Sequence, residues 1–152
     1  MTEHEAFDIN QRFALIAVDD VSRKAAVIEA LQELGFRVHV AAAAHDGFDR
    51  LRKTTYAAVV IDQAYQGGTP LDNPLLKHLQ TMPAPARRDM FVALLAPNVT
   101  TLDNMAAFAS SVNAVISYND LGQAKAIFER AIADNDQFFR VLRSVLEEAG
   151  KR

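Results

Sequence analysis

The chain has 152 residues and is half hydrophobic, with 16 Lys and Arg against 19 Asp and Glu for a formal charge of -3. This length suits one domain around one core, and the balanced charge gives no basic surface for nucleic acid or anionic lipid. The absence of cysteine excludes disulfides and cysteine nucleophiles, and the apolar runs are shorter than the ~20 residues of a membrane helix. We therefore expect a cytoplasmic protein that binds neither nucleic acid nor membrane.

The N-terminal half alternates between strand-like and helix-like segments, after a polar lead-in at residues 1–11. Two fully apolar runs, 13–18 and 57–61, each end at aspartate, which is typical of buried parallel strands. Ser22 is a candidate cap for the first helix, and Gly35 is placed to end it in the left-handed conformation. The predicted order is strand 13–18, helix 22–34, strand 36–40, helix 45–53 and strand 57–61.

The C-terminal half continues the alternation after a loop at 63–70 that contains Gly67-Gly68. Asp72 or Asn73 is expected to cap a helix with Pro74 in its first turn, and 83–88 to form a connector. A strand at 90–95 is followed by a helix from Thr100 or Thr101, with its buried positions at Leu102, Met105, Ala106 and Ala109. A short strand at 114–117 and a helical stretch at 121–149 complete the chain. Five strand–helix units predict an α/β fold, a doubly wound five-stranded parallel sheet flanked by helices, with an extended or additional C-terminal helix.

Acidic residues at the ends of the first and third strands make residues 12–133 resemble the receiver domain of bacterial two-component response regulators, a CheY-like, flavodoxin-like fold. The resemblance implies that Asp19 and Asp20 bind Mg²⁺ together with Asp62, and that Asp62 accepts a phosphoryl group. It divides the chain into a lead-in (1–11), a receiver-like domain (12–133) and a C-terminal helical extension (134–152).

Three other positions depart from the receiver pattern. Leu95 stands at the end of the fourth strand, where the family has serine or threonine, and Ser117 stands at the end of the fifth, where the family has lysine. Tyr118 takes the place of the proline that normally follows. Because phosphoryl transfer depends on positioned donors and positive charge, this pattern predicts a degenerate pseudo-receiver.

A structural role for the acidic residues is the alternative. Asp20 could cap the first helix, and Asp62 could simply end a strand and open a turn. The segment Gly67-Gly68 matches no nucleotide-binding glycine pattern, so the sequence predicts no required cofactor and leaves Mg²⁺ as an option.

The C-terminal stretch carries a seven-residue repeat that is apolar at every position but one. A single polar residue, Asn135, interrupts it, as in helix pairs where one asparagine fixes the register, so a homodimer through Asn135, Phe138, Leu142 and Val145 is one hypothesis. The other is a break near residues 134–136, with the last helix folded back on its own domain. The repeat positions are Leu121, Ala124, Phe128, Ala131, Asn135, Phe138, Leu142, Val145 and Ala149.

These patterns leave three functional hypotheses. The leading one is a non-catalytic signalling module that binds other signalling proteins. The resemblance to receiver domains implies that it does so through the face built by the fourth predicted helix, the fifth strand and the C-terminal helix. The second is a working phosphoacceptor that uses Asp62 with Mg²⁺ and catalyses its own phosphorylation. The third is a small-ligand-binding domain, which an apolar pocket beside Asp62 would favour.

Overall fold

The computed structural model describes residues 12–69 and 72–150, so the polar lead-in at 1–11 lies outside the described part. It contains five strands, six α-helices and two short 3₁₀ helices, the latter at Tyr65–Gly67 and Tyr118–Gln123. The strands are β1 (Phe13–Ala17), β2 (Arg37–Val40), β3 (Ala58–Asp62), β4 (Phe91–Ala96) and β5 (Ala114–Ser117). The helices are α1 (Val21–Glu33), α2 (Ala44–Lys53), α3 (Pro74–Gln80), α4 (Ala84–Arg88), α5 (Asn104–Ala109) and α6 (Ala124–Glu148).

The five strands form one parallel sheet in the order β2-β1-β3-β4-β5. The chain therefore winds in one direction from β1 to β2 and in the other from β3 to β5, and the predicted doubly wound fold is confirmed. Strands β3, β4 and β5 are buried along their whole length, including the polar residues Asp62 and Ser117 that end β3 and β5.

The core has two layers because alternate residues of each strand point to opposite faces of the sheet. On one face, Ala14 and Ile16 of β1 belong to a cluster that includes Val27 and Leu31 of α1 and Phe128 of α6. On the other face, Leu15 and Ala17 belong to a cluster with Leu75 and Leu79 of α3. The sheet therefore holds the carboxyl ends of β1 and β3 side by side.

Helix α1 begins one residue earlier than predicted. Asp20, rather than Ser22, is its N-cap, and the Asp20 carboxylate accepts a hydrogen bond of 2.9 Å from the backbone amide of Arg23. The predicted terminator is confirmed, since Gly35 has a φ of 94°, a conformation that glycine adopts without steric penalty.

Two predictions in the second half are wrong. Residues Ala84–Arg88 form a short helix instead of a connector, with Pro83 as the residue before it. Helix α5 begins at Asn104, after Leu102 has turned the chain with a φ of 65°. This shift rotates the helix, so Met105 is exposed and Ala107 is buried.

The C-terminal helix α6 is continuous from Ala124 to Glu148, so of the two alternatives left by the sequence the break near residues 134–136 is wrong. The helix is held along its own domain by polar contacts. Asn113 Nδ2 donates to Asn135 Oδ1 at 2.9 Å, and Arg143 lies 3.7 Å from Asp89. Among the described residues, no helix is long and apolar enough to cross a membrane.

Candidate functional site

Three acidic residues lie at the carboxyl ends of β1 and β3, the adjacent strands where the winding direction reverses. In doubly wound folds, ligands bind at this switch point. Asp19 and Asp20 follow β1, and Asp62 is the last residue of β3. The sequence resemblance therefore correctly brings these carboxylates to one end of the sheet.

The carboxylate of Asp62 is buried and fully engaged. The residue is 1 % exposed. Arg23 Nε donates to Asp62 Oδ2 at 2.9 Å, while Asp62 Oδ1 accepts from the Tyr118 hydroxyl and from the Ala64 backbone amide at 3.1 Å. Three donors therefore surround the residue that the receiver pattern marks as the phosphoacceptor.

Arg23 comes from the first turn of α1, three residues after the N-cap Asp20. Its guanidinium contacts Asp62 and also lies 3.8 Å from Asp20 Oδ2, so one cation bridges the ends of β1 and β3. Burial by itself would lower the pKa of Arg23, but the hydrogen bond and negative charge of Asp62 outweigh it, and the net pKa is raised. Arg23 is therefore a permanent positive charge in the site.

Tyr118 closes the site from the end of β5. The Arg23 guanidinium carbon lies 3.9 Å from the centre of the Tyr118 ring, a cation–π arrangement that holds both side chains in place. Burial, followed by the hydrogen bond to Asp62, raises the pKa of Tyr118 to about 12. The phenol therefore stays protonated and able to donate at neutral pH.

Asp19 and Asp20 both have structural partners. Asp20 caps α1, as the alternative interpretation predicts. Asp19 Oδ2 accepts a hydrogen bond of 2.6 Å from the backbone amide of Gln66, which has a left-handed φ of 54°. Asp19 therefore holds the loop after β3 in a conformation that a non-glycine residue rarely adopts.

The loop after β3 is also fixed by Asn73, a buried residue. Its side-chain amide donates to the carbonyl oxygens of Asp62 at 3.1 Å and Gln63 at 3.3 Å, and its Oδ1 accepts from the Leu76 amide. One side chain thus caps α3 and ties it to the end of β3. A helix-capping signal alone identified Asn73 in the sequence, and the contacts to β3 were not predictable from it.

Leu95 and Ser117, two of the departures from the receiver pattern, are the next-to-last residue of β4 and the last residue of β5. In the sheet register, Leu95 pairs with Asp62 and Ser117 pairs with Ala96. Leu95 is part of the hydrophobic core, and the Ser117 hydroxyl accepts a hydrogen bond from the Asn119 amide. Neither side chain has a contact with the Asp62 carboxylate among those described.

The carboxylates do not form a ready-made metal site in this arrangement. Among residues 12–69 and 72–150, no group of three or more acidic or histidine side chains is placed to hold a metal ion. A Mg²⁺ ion binds its oxygen ligands at about 2.0–2.1 Å, in space that the Arg23 guanidinium fills beside Asp62. Magnesium binding by Asp19, Asp20 and Asp62 therefore stays a prediction that requires Arg23 to move.

A second surface is formed by α5 and α6. A cavity of about 330 Å³ separates them, with Ala107 on one side and Asn135 and Phe138 on the other. Phe138 is 62 % exposed, and Val145 of the same helix is also largely exposed. Both helices carry further exposed apolar residues, namely Met105 and Phe108 on α5 and Val141 on α6.

The four residues predicted to form a helical interface have different environments. Asn135 is used within the domain by Asn113, so it does not face an open helix seam as the dimer hypothesis requires. Leu142 is partly covered, whereas Phe138 and Val145 are exposed. The exposed apolar surface therefore includes Phe138 and Val145 of the predicted interface, while Asn135 and Leu142 are partly covered.

Comparison with known proteins relates the chain to others through structure alone. No family model and no curated protein matches the sequence. The fold is similar to that of the chemotaxis response regulator CheY4 of Vibrio cholerae, with a TM-score of 0.63 and 14 % identity over 80 % of this chain and 98 % of that one. It is also similar to a CheY-like receiver domain protein from Methanospirillum hungatei JF-1, with a TM-score of 0.61 and 13 % identity over 84 % and 98 % of the two chains.

A third similar structure is the receiver domain of the sensor histidine kinase PA1611 from Pseudomonas aeruginosa PAO1. Its TM-score is 0.61, with 16 % identity over 81 % of this chain and 98 % of that one, and it has a magnesium ion coordinated in the active-site cleft. At such identities the likeness establishes a common fold and does not carry over the chemistry of the site.

Proposed function

Taking this receiver fold as the premise, we propose that the protein is a non-catalytic interaction module of bacterial cytoplasmic signalling whose state does not depend on phosphorylation of Asp62. The proposal rests on the burial of the Asp62 carboxylate and on the donors that surround it. An aspartate that accepts a phosphoryl group must present a carboxylate oxygen in line with the leaving group. Here that carboxylate is buried, and both oxygens accept hydrogen bonds within the protein.

The residues around Asp62 support the same conclusion. A phosphoryl group on Asp62 would need donors and positive charge around its equatorial oxygens. Leu95 provides no donor, and Ser117, whose hydroxyl oxygen accepts from the Asn119 amide, offers only a neutral donor on a short side chain where the family has lysine. The protein therefore lacks the groups that would couple a phosphoryl group to β4 and β5.

The surface of α5 and α6 is the proposed partner-binding face. Phe138 of α6 lines the cavity and is exposed, and α5 on the other side of the cavity carries exposed Met105 and Phe108; exposed apolar area of this kind is typical of protein–protein contacts. The partner is another signalling protein or a second copy of the chain. Replacing Phe138 and Val145 with serine should abolish that association in sedimentation or cross-linking experiments without unfolding the protein.

A phosphoacceptor is the second candidate, because Arg23 supplies a positive charge that Ser117 does not. In that case Arg23 and Tyr118 would have to swing away and re-form contacts with a phosphoryl group. The magnesium in the P. aeruginosa receiver shows a cation in the cleft of a similar fold. A small-ligand site beside Asp62 has no comparable support, since that carboxylate is closed off.

The test is to add Mg²⁺ and then beryllofluoride, a phosphoryl mimic, while recording amide NMR shifts at Asp19, Asp62 and Ser117. We expect no saturable change, with Asp62→Asn giving the same result as the unchanged protein. Saturable shifts that Asp62→Asn abolishes, together with altered self-association, would establish the phosphoacceptor instead.

A further inference from the structure

The site at the ends of β1 and β3 contains a positively charged side chain, Arg23. The Arg23 guanidinium makes a hydrogen bond of 2.9 Å to Asp62 Oδ2, lies 3.8 Å from Asp20 Oδ2 and stacks at 3.9 Å on the ring of Tyr118. These partners come from the ends of three different strands, β3, β1 and β5. A single side chain therefore joins the ends of β1 and β3, as a metal ion bound by Asp19, Asp20 and Asp62 would, and also contacts the end of β5.

We propose that Arg23 is a built-in replacement for a divalent cation, which keeps the site in one fixed state and makes it insensitive to Mg²⁺. The inference deepens the proposed function, on which it rests, by naming the residue that fixes the state. It goes against the sequence resemblance, which implies a metal bound by Asp19, Asp20 and Asp62.

The first argument is spatial. A magnesium ion would have to approach an Asp62 oxygen to about 2 Å. Arg23 Nε, with its hydrogen directed at Oδ2, fills the approach to one oxygen, while the Tyr118 hydroxyl and the Ala64 amide fill the approach to the other. A metal ion can enter only if at least one of the two side chains leaves.

The second argument is electrostatic. A buried carboxylate needs a compensating charge, because removing it from water is unfavourable by several kcal/mol. Asp62 is 1 % exposed and has that charge in Arg23, whose guanidinium is on the same chain and cannot diffuse away. A metal ion from solution would have to displace a partner whose effective concentration is set by its attachment to α1.

The third argument is that Arg23 is held in place both at its backbone and at its guanidinium. At its backbone, Arg23 is held by the cap, since its own amide donates to Asp20 Oδ2. At its tip, the planar guanidinium is held between Asp62 and the Tyr118 ring. A planar, permanently charged group on an aromatic face suits arginine and not lysine.

The experiment compares divalent-ion binding by the unchanged protein with that by Arg23→Met, which keeps an aliphatic stem over the Tyr118 ring. The probe is Mn²⁺, followed by calorimetry and by broadening of the amide signals of Asp19, Asp20 and Asp62, with Mg²⁺ as a competitor. Circular dichroism and thermal unfolding first establish that each variant is folded. The matched control is Lys24→Met, which removes a neighbouring positive charge of α1 without changing the Asp62 contacts.

We expect Arg23→Met to bind Mn²⁺ at least about tenfold more tightly than the unchanged protein and the Lys24→Met control, which should behave alike. Adding Asp62→Asn to Arg23→Met should abolish the gain. If a folded Arg23→Met binds Mn²⁺ no more tightly than the unchanged protein, the inference is overturned. That result would leave the proposed function unaffected. The proposed function itself would be overturned if the unchanged protein bound beryllofluoride in a way that depends on Asp62.

Discussion

Replacing Arg23 with alanine removes the charged partner of a buried carboxylate and tests how much the domain relies on it. Arg23 Nε and Asp62 Oδ2 are 2.9 Å apart, and the side chains are 25 % and 1 % exposed. At an effective dielectric constant of about 20, the attraction between unit charges at this distance is about 6 kcal/mol before any desolvation is subtracted.

The net loss of stability should be smaller than this attraction. Breaking a fully buried pair by removing one partner typically costs about 3–5 kcal/mol. Arg23 is partly solvated, and the Tyr118 hydroxyl and Ala64 amide would still donate to Asp62. We therefore expect Arg23→Ala to lower the free energy of unfolding by about 2–3 kcal/mol and the melting temperature by about 5–10 °C.

The assay is a double-mutant cycle with Asp62→Asn, measured by urea unfolding and followed by circular dichroism. Because Asp62→Asn removes the buried charge, adding it to Arg23→Ala should cost less than it does alone, with a coupling energy of about 1–3 kcal/mol. Arg130→Ala is the control, since Arg130 and Asp134 form a pair 3.9 Å apart with side chains 77 % and 74 % exposed. Such an exposed helical pair should contribute about 0.5 kcal/mol or less.

The reasoning would be refuted by additivity. If the effects of Arg23→Ala and Asp62→Asn sum to that of the double variant within about 0.5 kcal/mol, the two side chains do not interact in solution as they do here. A loss in Arg23→Ala no greater than that in Arg130→Ala would lead to the same conclusion.

Three further predictions concern the site and the helices. The pKa of Tyr118 is raised from 10.0 to about 12, so the folded state favours the neutral phenol; its contribution to stability is complete below pH 10 and is lost as pH rises towards 12. Absorbance titration at 295 nm should show that the tyrosine lost in Tyr118→Phe is one that ionises well above pH 10. If the lost tyrosine ionises near pH 10, the prediction is wrong. In urea unfolding, Phe128→Ala should lower the free energy of unfolding by about 3–5 kcal/mol, and Phe138→Ala by no more than about 0.5 kcal/mol. The reason is that Phe128 is 0 % exposed and Phe138 is largely in solvent. Similar losses for the two variants would contradict the packing of α6. Gly68→Ala should destabilise the domain by about 1–3 kcal/mol in the same assay, since its new methyl group would lie 2.8 Å from the Gln63 carbonyl oxygen, and an unchanged midpoint would show that this loop yields easily.

Some elements could be predicted locally and others could not. The turn at Leu102 shows why, since its φ of 65° is imposed by contacts such as the hydrogen bond of 2.8 Å from its amide to the Val115 carbonyl. The apolar spacing of the segment predicted Met105 as buried, but the turn rotates α5 and leaves it exposed. Similarly, polar residues at 134–136 allowed a break, yet α6 continues through them, and Asn135 accepts a hydrogen bond from Asn113 of the same domain.

By itself, the sequence determined the five strand–helix units, the parallel sheet and the end of the sheet at which Asp19, Asp20 and Asp62 meet. Those features follow from short-range patterns: apolar runs of strand length, caps and glycine at helix ends. Tertiary structure alone decided that Arg23 and Tyr118 close over Asp62, because these partners lie 39 and 56 residues away along the chain. No local pattern encodes which side chains from separate parts of the chain will surround a buried charge. Here they are Arg23 and Tyr118, and the site is a buried ion pair between Arg23 and Asp62 covered by Tyr118.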